Sequence, residues 1–271
     1  MTTEIKRQRK IEGVPGYRIM EFEPKSHRYV LLIPVMNEGE RIIHELTRAK
    51  EHHISDVVDI VLLDGNSTDG TTEEDVLRPL EVNTLLIQEE GRQGAAFRMG
   101  FHWAIERGYD GMITIDGNDK DSIEDVPKFV ACLDEGYDFV QGSRYAEEGT
   151  ALRTPRMREW AIRTIHAPMV SRTAGFRYTD TTNAYRAHSR KYLTDPRVQP
   201  LREIFDVFEI LVYLATRAPR LGMKVTEIPV TRNYPESGEI PTKVSLLDHY
   251  RLFADLFTNA AGRFDPEEDK K

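Results

Sequence analysis

The 271-residue chain carries 45 acidic and 37 basic residues, a formal net charge of −8 and one cysteine. That acidity argues against a nucleic-acid binder, which needs a basic face. A single thiol excludes disulfide stapling within the chain and disfavours a thiolate zinc site, and no apolar run approaches the roughly 20 residues that span a bilayer.

The N-terminal MTTEIKRQRK is basic but has no apolar stretch behind it, so it does not read as a secretory signal. Residues 1–27 are expected to form a solvated extension. Weak contact of Lys6, Arg7, Arg9 and Lys10 with anionic lipid is the lesser alternative. Strand and helix patterns then alternate. Strands are expected at 30–35, 57–63, 84–87, 112–115 and 138–140, and helices at 38–51, 68–77, 93–107 and 123–133. Gly108 is the stop signal of the third helix. Cys132 falls in an apolar helical pattern and reads as packing. Beyond 150 the pattern is less regular. A basic amphipathic helix is expected over 153–173 (Arg153, Arg156, Arg158, Arg163, Arg172), then a helix at 205–218, a strand at 223–230 and a helix at 244–257. The final DPEEDKK reads as a polar tail.

Such alternation with short connections predicts an α/β fold, a mostly parallel sheet flanked by helices. Ligands of these sheets bind beyond the carboxyl ends of the strands. Polar clusters stand at four of those ends: 36–38, 64–66, 89–93 and 116–119. Asp64 ends a strand, where its carboxylate can accept hydrogen bonds from a base or sugar. Ser67 or Thr68 can cap the helix behind it. In GRQGAA (91–96), Gly91 and Gly94 would let a ligand approach the backbone, and Arg92 adds charge for a phosphate. The run DGND (116–119) offers Asp116, Asn118 and Asp119 as oxygen ligands for a hard divalent cation, with Gly117 leaving room beside them; a solvated turn is the plain alternative. Arg232 and Lys243 flank a Pro- and Gly-punctuated loop that could fold over a diphosphate, or be an ordinary surface loop.

Taken in order, these segments resemble the family 2 glycosyltransferases of GT-A fold, and within them the dolichyl- and polyprenyl-phosphate hexose synthases. IPVMNE (33–38) is similar to the family's opening P-x-x-N-E, DGNSTDGT (64–71) to D-D-x-S-x-D-G-T, and GRQGAA (91–96) with Gly100 to G-K-G-A-A…G. DGN (116–118) stands at the D-x-D position, and GSRY (142–145) matches G-S-R-Y. The likeness covers 30–145 well and thins beyond, to Asp180, Glu209, Glu227 and the Arg232…Lys243 loop.

The resemblance implies an inverting transfer of a sugar from a UDP- or GDP-sugar to a polyprenyl-phosphate or surface-polysaccharide acceptor. Pro34, Val35, Asn37, Glu38, Asp64 and Asn66 would border the base and ribose, with Gly91, Arg92, Gly94, Gly117 and Arg144 completing the substrate set. Asp116, Asn118 and Asp119 would hold Mg2+ or Mn2+, and Arg232 and Lys243 would close on the phosphates. Asp116 is the central catalytic carboxylate. Asp180, Asp206 and Glu209 are the candidate general bases, needed if the acceptor is a hydroxyl. The chain departs from the pattern at Asn118, an amide where the second aspartate stands, and in having Asp180–Arg186 in place of an S-G-F-R segment with no spanning helix after it. One domain is expected over 28–260: 28–145 for the nucleotide, 146–260 for the acceptor, then a polar tail at 261–271. A cytoplasmic protein is expected, with peripheral contact at the inner membrane face and a homodimer left open. A nucleotidyltransferase is the first rival, although MNEGER (36–41) is acidic where those enzymes are basic and glycine-rich. A non-catalytic nucleotide-sugar-binding subunit is the second, kept by Asn118.

Overall fold

The computed structural model describes residues 4–236 and 254–270. Strands β1 (Ile5–Gln8) and β2 (Tyr17–Glu21) lead into β3 (Tyr29–Val35), α1 (Glu40–Glu51), β4 (Asp59–Asp64), a short α2 (Glu74–Leu77) and β5 (Thr84–Gln88). Next come α3 (Gln93–Glu106), β6 (Gly111–Thr114), α4 (Val126–Asp134), β7 (Phe139–Ser143) and β8 (Thr150–Leu152). The second half holds α5 (Arg156–Ala161), α6 (Ala167–Ala174), β9 (Arg186–Ser189), α7 (Arg190–Leu193), α8 (Glu209–Arg220), β10 (Val225–Pro229) and β11 (Thr231–Asn233).

Nine strands form one sheet in the order β1-β2-β5-β4-β3-β6-β9-β7-β10. Its centre, β5-β4-β3-β6, is parallel throughout, as the alternating pattern predicts. Along β3, Leu31, Ile33 and Val35 pack on one face with Ile42 and Leu46 of α1 and Phe129 of α4. Val30 and Leu32 pack on the other with Phe97 and Phe101 of α3 and with α6 and α8. The two-residue period of a strand buried on both faces is what divides the core this way.

Three expectations change, and one strand was not foreseen. Residues 4–27 are not a loose extension: β2 pairs antiparallel with β5, and β1 with β2. Tyr17 and Ile19 are buried at alternate positions, a short amphipathic signal easily lost among charges. The helix expected over 68–77 shrinks to Glu74–Leu77. In the stretch before it, Asn37 Oδ1 accepts from the Thr68 amide at 2.7 Å, and Asp69 Oδ1 accepts from the Thr71 amide and hydroxyl at 3.2 and 2.7 Å. Short polar side chains have outcompeted the helical ladder there. β9 is inserted antiparallel between β6 and β7, although nothing in RAHS reads as a buried strand. Near the C-terminus Phe264 and Asp265 are buried, and Asp265 pairs with Arg220 at 2.6 Å, so this end is anchored on α8.

The basic helix forms as an unbroken helical run from α5 to α6, with a π-helical turn at Ile162–His166. Pro168 follows that turn, where its ring crowds the carbonyl one turn back and it has no N–H to donate. Residues 254–260 are helical, overlapping the last predicted helix at 254–257, whose earlier part lies outside the described residues, as does Lys243.

Candidate active site

The carboxyl ends of β3, β4 and β6 lie side by side, and the loops leaving them build the site. The first two loops are laced together. Gly65 N–H donates to Val35 O at 2.8 Å, Asn37 N–H to Ser67 Oγ at 2.9 Å, and Gly39 N–H to Asp69 Oδ2 at 2.9 Å. Asp64 is buried and accepts from the Ser67 amide at 2.9 Å and its hydroxyl at 2.6 Å. Burial nonetheless leaves its pKa raised. Glu38 pairs with Arg41 at 2.9 Å, and Asn66 accepts from Arg18 at 3.1 Å. Pro34 and Val35 belong to β3 itself.

The 116–121 turn is the centre. Gly117 is needed by packing: an added Cβ would meet Val35 Cγ1 at 2.7 Å and Pro34 O at 3.0 Å. Asp116 Oδ2 lies 3.2 Å from Arg232 Nη2, and Gln93 donates to Asp116 Oδ1 at 3.4 Å. Burial opposes ionisation of Asp116, but Arg232 and Lys120 outweigh it and hold its pKa below the usual range. Asn118 presents a buried Oδ1 with no hydrogen-bond partner. Asp119 faces away, toward α1: it pairs with His44 and with Arg48 at 2.7 Å, and its amide donates to buried Glu45 at 2.8 Å. Burial pushes the Glu45 carboxyl well up.

Lys120 and Asp121 complete the turn, only 2 % and 1 % exposed. Asp121 pairs with Arg232, so one guanidinium serves two carboxylates. Burial and the nearby Arg232 push the Lys120 ammonium down to about 7. Its Nζ stands 5.4 Å from the centroid of the Tyr234 ring, with Arg158 on the same ring at 6.0 Å. Arg144 is buried against Asp180 at 2.6 Å, and its Nη1 has no partner.

The other expected residues have local duties. Asp180 accepts from Arg144 and from the Thr182 amide and hydroxyl, both at 3.1 Å. Burial would raise its pKa, but Arg144 holds it below the usual range. Glu209 Oε2 accepts from the Val207 amide at 2.7 Å at the start of α8. Gly91 packs on Ala95, and the Arg92 amide donates to Asp206 at 3.3 Å. Gly94 lets the 205–207 backbone cross: a Cβ there would lie 2.6 Å from Phe205 O. Lys120, Asp121 and Tyr234 were not singled out from the sequence, although Lys120 and Asp121 directly follow the 116–119 run; Arg158 stood there only as one arginine of the basic helix, and Gln93 only within the 89–93 cluster.

Among the described residues no three His, Cys, Asp or Glu side chains converge on one point. Asp116 and Asn118 Oδ1 do supply two hard oxygens, one of them lacking a partner. Mg2+ and Mn2+ need little more from a protein when substrate phosphates supply further ligands. The donor set therefore fits such a cation.

A family model described as glycosyl transferase family 2 matches residues 30–195. The polyprenol monophosphomannose synthase of Mycolicibacterium smegmatis is 29% identical over 225 residues, 79% of this chain and 80% of that protein. The undecaprenyl-phosphate mannosyltransferase of Micrococcus luteus is 30% identical over 224 residues, 78% of this chain and 86% of that protein. Among solved structures, glucosyl-3-phosphoglycerate synthase from Mycobacterium tuberculosis superposes with a TM-score of 0.61 at 16% identity, covering 86% of this chain and 80% of that one. At this identity the likeness speaks for the GT-A fold alone.

Proposed function

The chain belongs to glycosyl transferase family 2, and from that premise we propose that it moves a sugar from a nucleoside-diphosphate sugar to the phosphate of a polyprenyl phosphate, inverting the anomeric centre. Family membership sets the nucleotidyltransferase alternative aside. The observation that supports the acceptor is the basic group around the site: Lys120, Arg144 and Arg232 are buried beside Asp116, Asp121 and Asp180, with half-buried Arg158 on the Tyr234 ring. Buried Arg144 keeps an Nη1 without a partner, and an anion there would satisfy it.

The candidate bases support the same reading. Asp180 is tied to Arg144 and held ionised, and Glu209 accepts from the Val207 amide. All three candidates thus accept hydrogen bonds from the protein, Asp206 from the Arg92 amide. A phosphate acceptor is already anionic and needs little base help. The two relatives named above carry polyprenol and undecaprenyl phosphate in their names, which agrees with this choice.

In this scheme residues 28–145 hold the donor and 146–260 the acceptor. Pro34, Val35, Asn37, Glu38, Asp64 and Asn66 border the base and ribose, and Arg232 lies over the diphosphate. Asp116 and Asn118 hold the divalent cation, Mg2+ or Mn2+; Asp119, committed to α1, does not. The bound cation would neutralise the leaving diphosphate as a Lewis acid. Arg144 and Arg158 orient the acceptor phosphate for in-line attack.

A lipid acceptor must be reached at a membrane surface. No helix of the described residues is long and apolar enough to cross one. Leu152, Met157 and Trp160 are exposed by 40%, 75% and 54% on β8 and α5, among Arg153, Arg156 and Arg163. Exposed aromatic and apolar groups interleaved with arginines suit an anionic lipid interface. This face adjoins Arg158, so docking there presents the acceptor site to the lipid headgroups.

The test is transfer of radiolabel from GDP-mannose, UDP-glucose and other sugar nucleotides into undecaprenyl or dolichyl phosphate, read in the organic phase. Label in the lipid is expected. Label only in a water-soluble glycan would refute the acceptor assignment.

A further inference from the structure

We propose that Lys120 and Arg232 act as fixed cations on the donor's diphosphate, so that this chain captures its nucleotide without a divalent cation. The inference rests on the glycosyltransferase reading of the site and adds to it which groups hold the phosphates.

Three observations carry it. First, the site offers a cation little negative charge. Asn118 is neutral, and the Asp119 carboxylate is turned to His44 and Arg48 of α1. Asp116 and Asp121 remain, and both are already paired with Arg232, Asp116 Oδ2 at 3.2 Å. Second, positive charge is built into the same turn. Lys120 follows Asn118 by two residues, is 2 % exposed, and its Nζ lies against the Tyr234 ring at 5.4 Å. The backbone holds it there too, since the Asn233 amide donates to Lys120 O at 2.7 Å, tying the turn to the segment that carries Arg232. Third, Arg232 is shared by Asp116 and Asp121, so it cannot swing away without stranding two carboxylates. Ammonium and guanidinium are thus preorganised beside the D-x-D position.

These charges offset the carboxylates of the turn and give a diphosphate two positive groups to meet. In a low-dielectric pocket fixed charges need no reorganisation when the ligand arrives. The cation's part is then confined to the departure of the leaving group, while capture belongs to the protein. Lys120 is a binding residue for the donor in this account.

The experiment is calorimetric titration of UDP, GDP, CDP and dTDP into the full chain, in Mg2+, in Mn2+ and in EDTA. It is repeated with K120Q and K120R, each checked for a cooperative melt. The wild type is expected to bind one nucleotide in EDTA within about tenfold of its affinity with cation. K120Q should lose about 10- to 100-fold in EDTA, the factor expected of one charge-assisted contact, and less with cation present. K120R should recover part of the loss. Wild-type binding that vanishes in EDTA overturns the inference and leaves the glycosyltransferase reading standing. Folded K120Q that matches wild type in EDTA overturns it as well. If no nucleotide binds the wild type under any condition, the nucleotide-sugar reading falls and the inference with it.

Discussion

Arg232 Nη2 lies 3.2 Å from Asp116 Oδ2, although the two residues are 116 positions apart. The same guanidinium pairs with Asp121, so the end of β6 and the segment after β10 are joined by one buried arginine. Asp116 is thereby fixed in place and kept ionised. D116N preserves its shape and removes its charge. Transfer should fall about 100-fold or more with little loss of folded protein, measured as kcat in the lipid-phase assay beside a thermal melt. Near-wild-type turnover would remove Asp116 from the reaction centre.

Gly94 separates packing from phosphate binding. Its missing Cβ makes room for the 205–207 backbone, so G94A is an overpacking change expected to cost about 1–3 kcal/mol. A lowered Tm with an unchanged KM for the donor is the expected pair of results. A raised KM at unchanged Tm would return Gly94 to the ligand.

Asp180 is expected to position Arg144. D180A leaves a buried guanidinium unpaired and should cost about 3–5 kcal/mol in a denaturant titration. D180N, which keeps the shape, should lose turnover without any change in the pH profile of kcat/KM. A lost limb in that profile would mean that Asp180 does act as the base.

The exposed face of α5 gives a separate readout. W160S combined with M157S should weaken co-sedimentation with vesicles containing phosphatidylglycerol by about tenfold, given the apolar area these side chains can bury, while UDP or GDP titration stays as in wild type. Equal sedimentation of both proteins would dismiss this face as a membrane contact.

His188 sets an acid limit on stability. It is buried among Phe101, Phe139 and Tyr192, and burial with Arg186 nearby lowers its pKa from 6.5 to about 3. The unfolded chain therefore binds a proton that the folded chain refuses. Its contribution is present in full above pH 6.5 and is lost as pH falls toward 3, at up to about 1.4 kcal/mol per pH unit. H188F should flatten the fall of unfolding free energy between pH 6.5 and 4.5. An unaltered slope would mean that other groups govern it.

Much of the nucleotide half was legible in the chain. Apolar runs bounded by turn residues located β3 to β7 within a few positions, because a strand buried on both faces needs such a run whatever its neighbours. Motif order carried the family, since loops at adjacent strand ends must hold fixed polar residues. The start of β2 and the insertion of β9 were not legible: sheet pairing is made between distant segments, and RAHS earns its place only through β6 and β7. The site divides in the same way. Local sequence determined that carboxylates follow β6. Only the tertiary structure decided that Asp119 serves α1, that Gly94 serves the 205–207 crossing, and that Lys120 and Arg232 face Asp116. Those outcomes depend on burial and on Coulomb interactions between elements more than 70 residues apart, which no local pattern encodes.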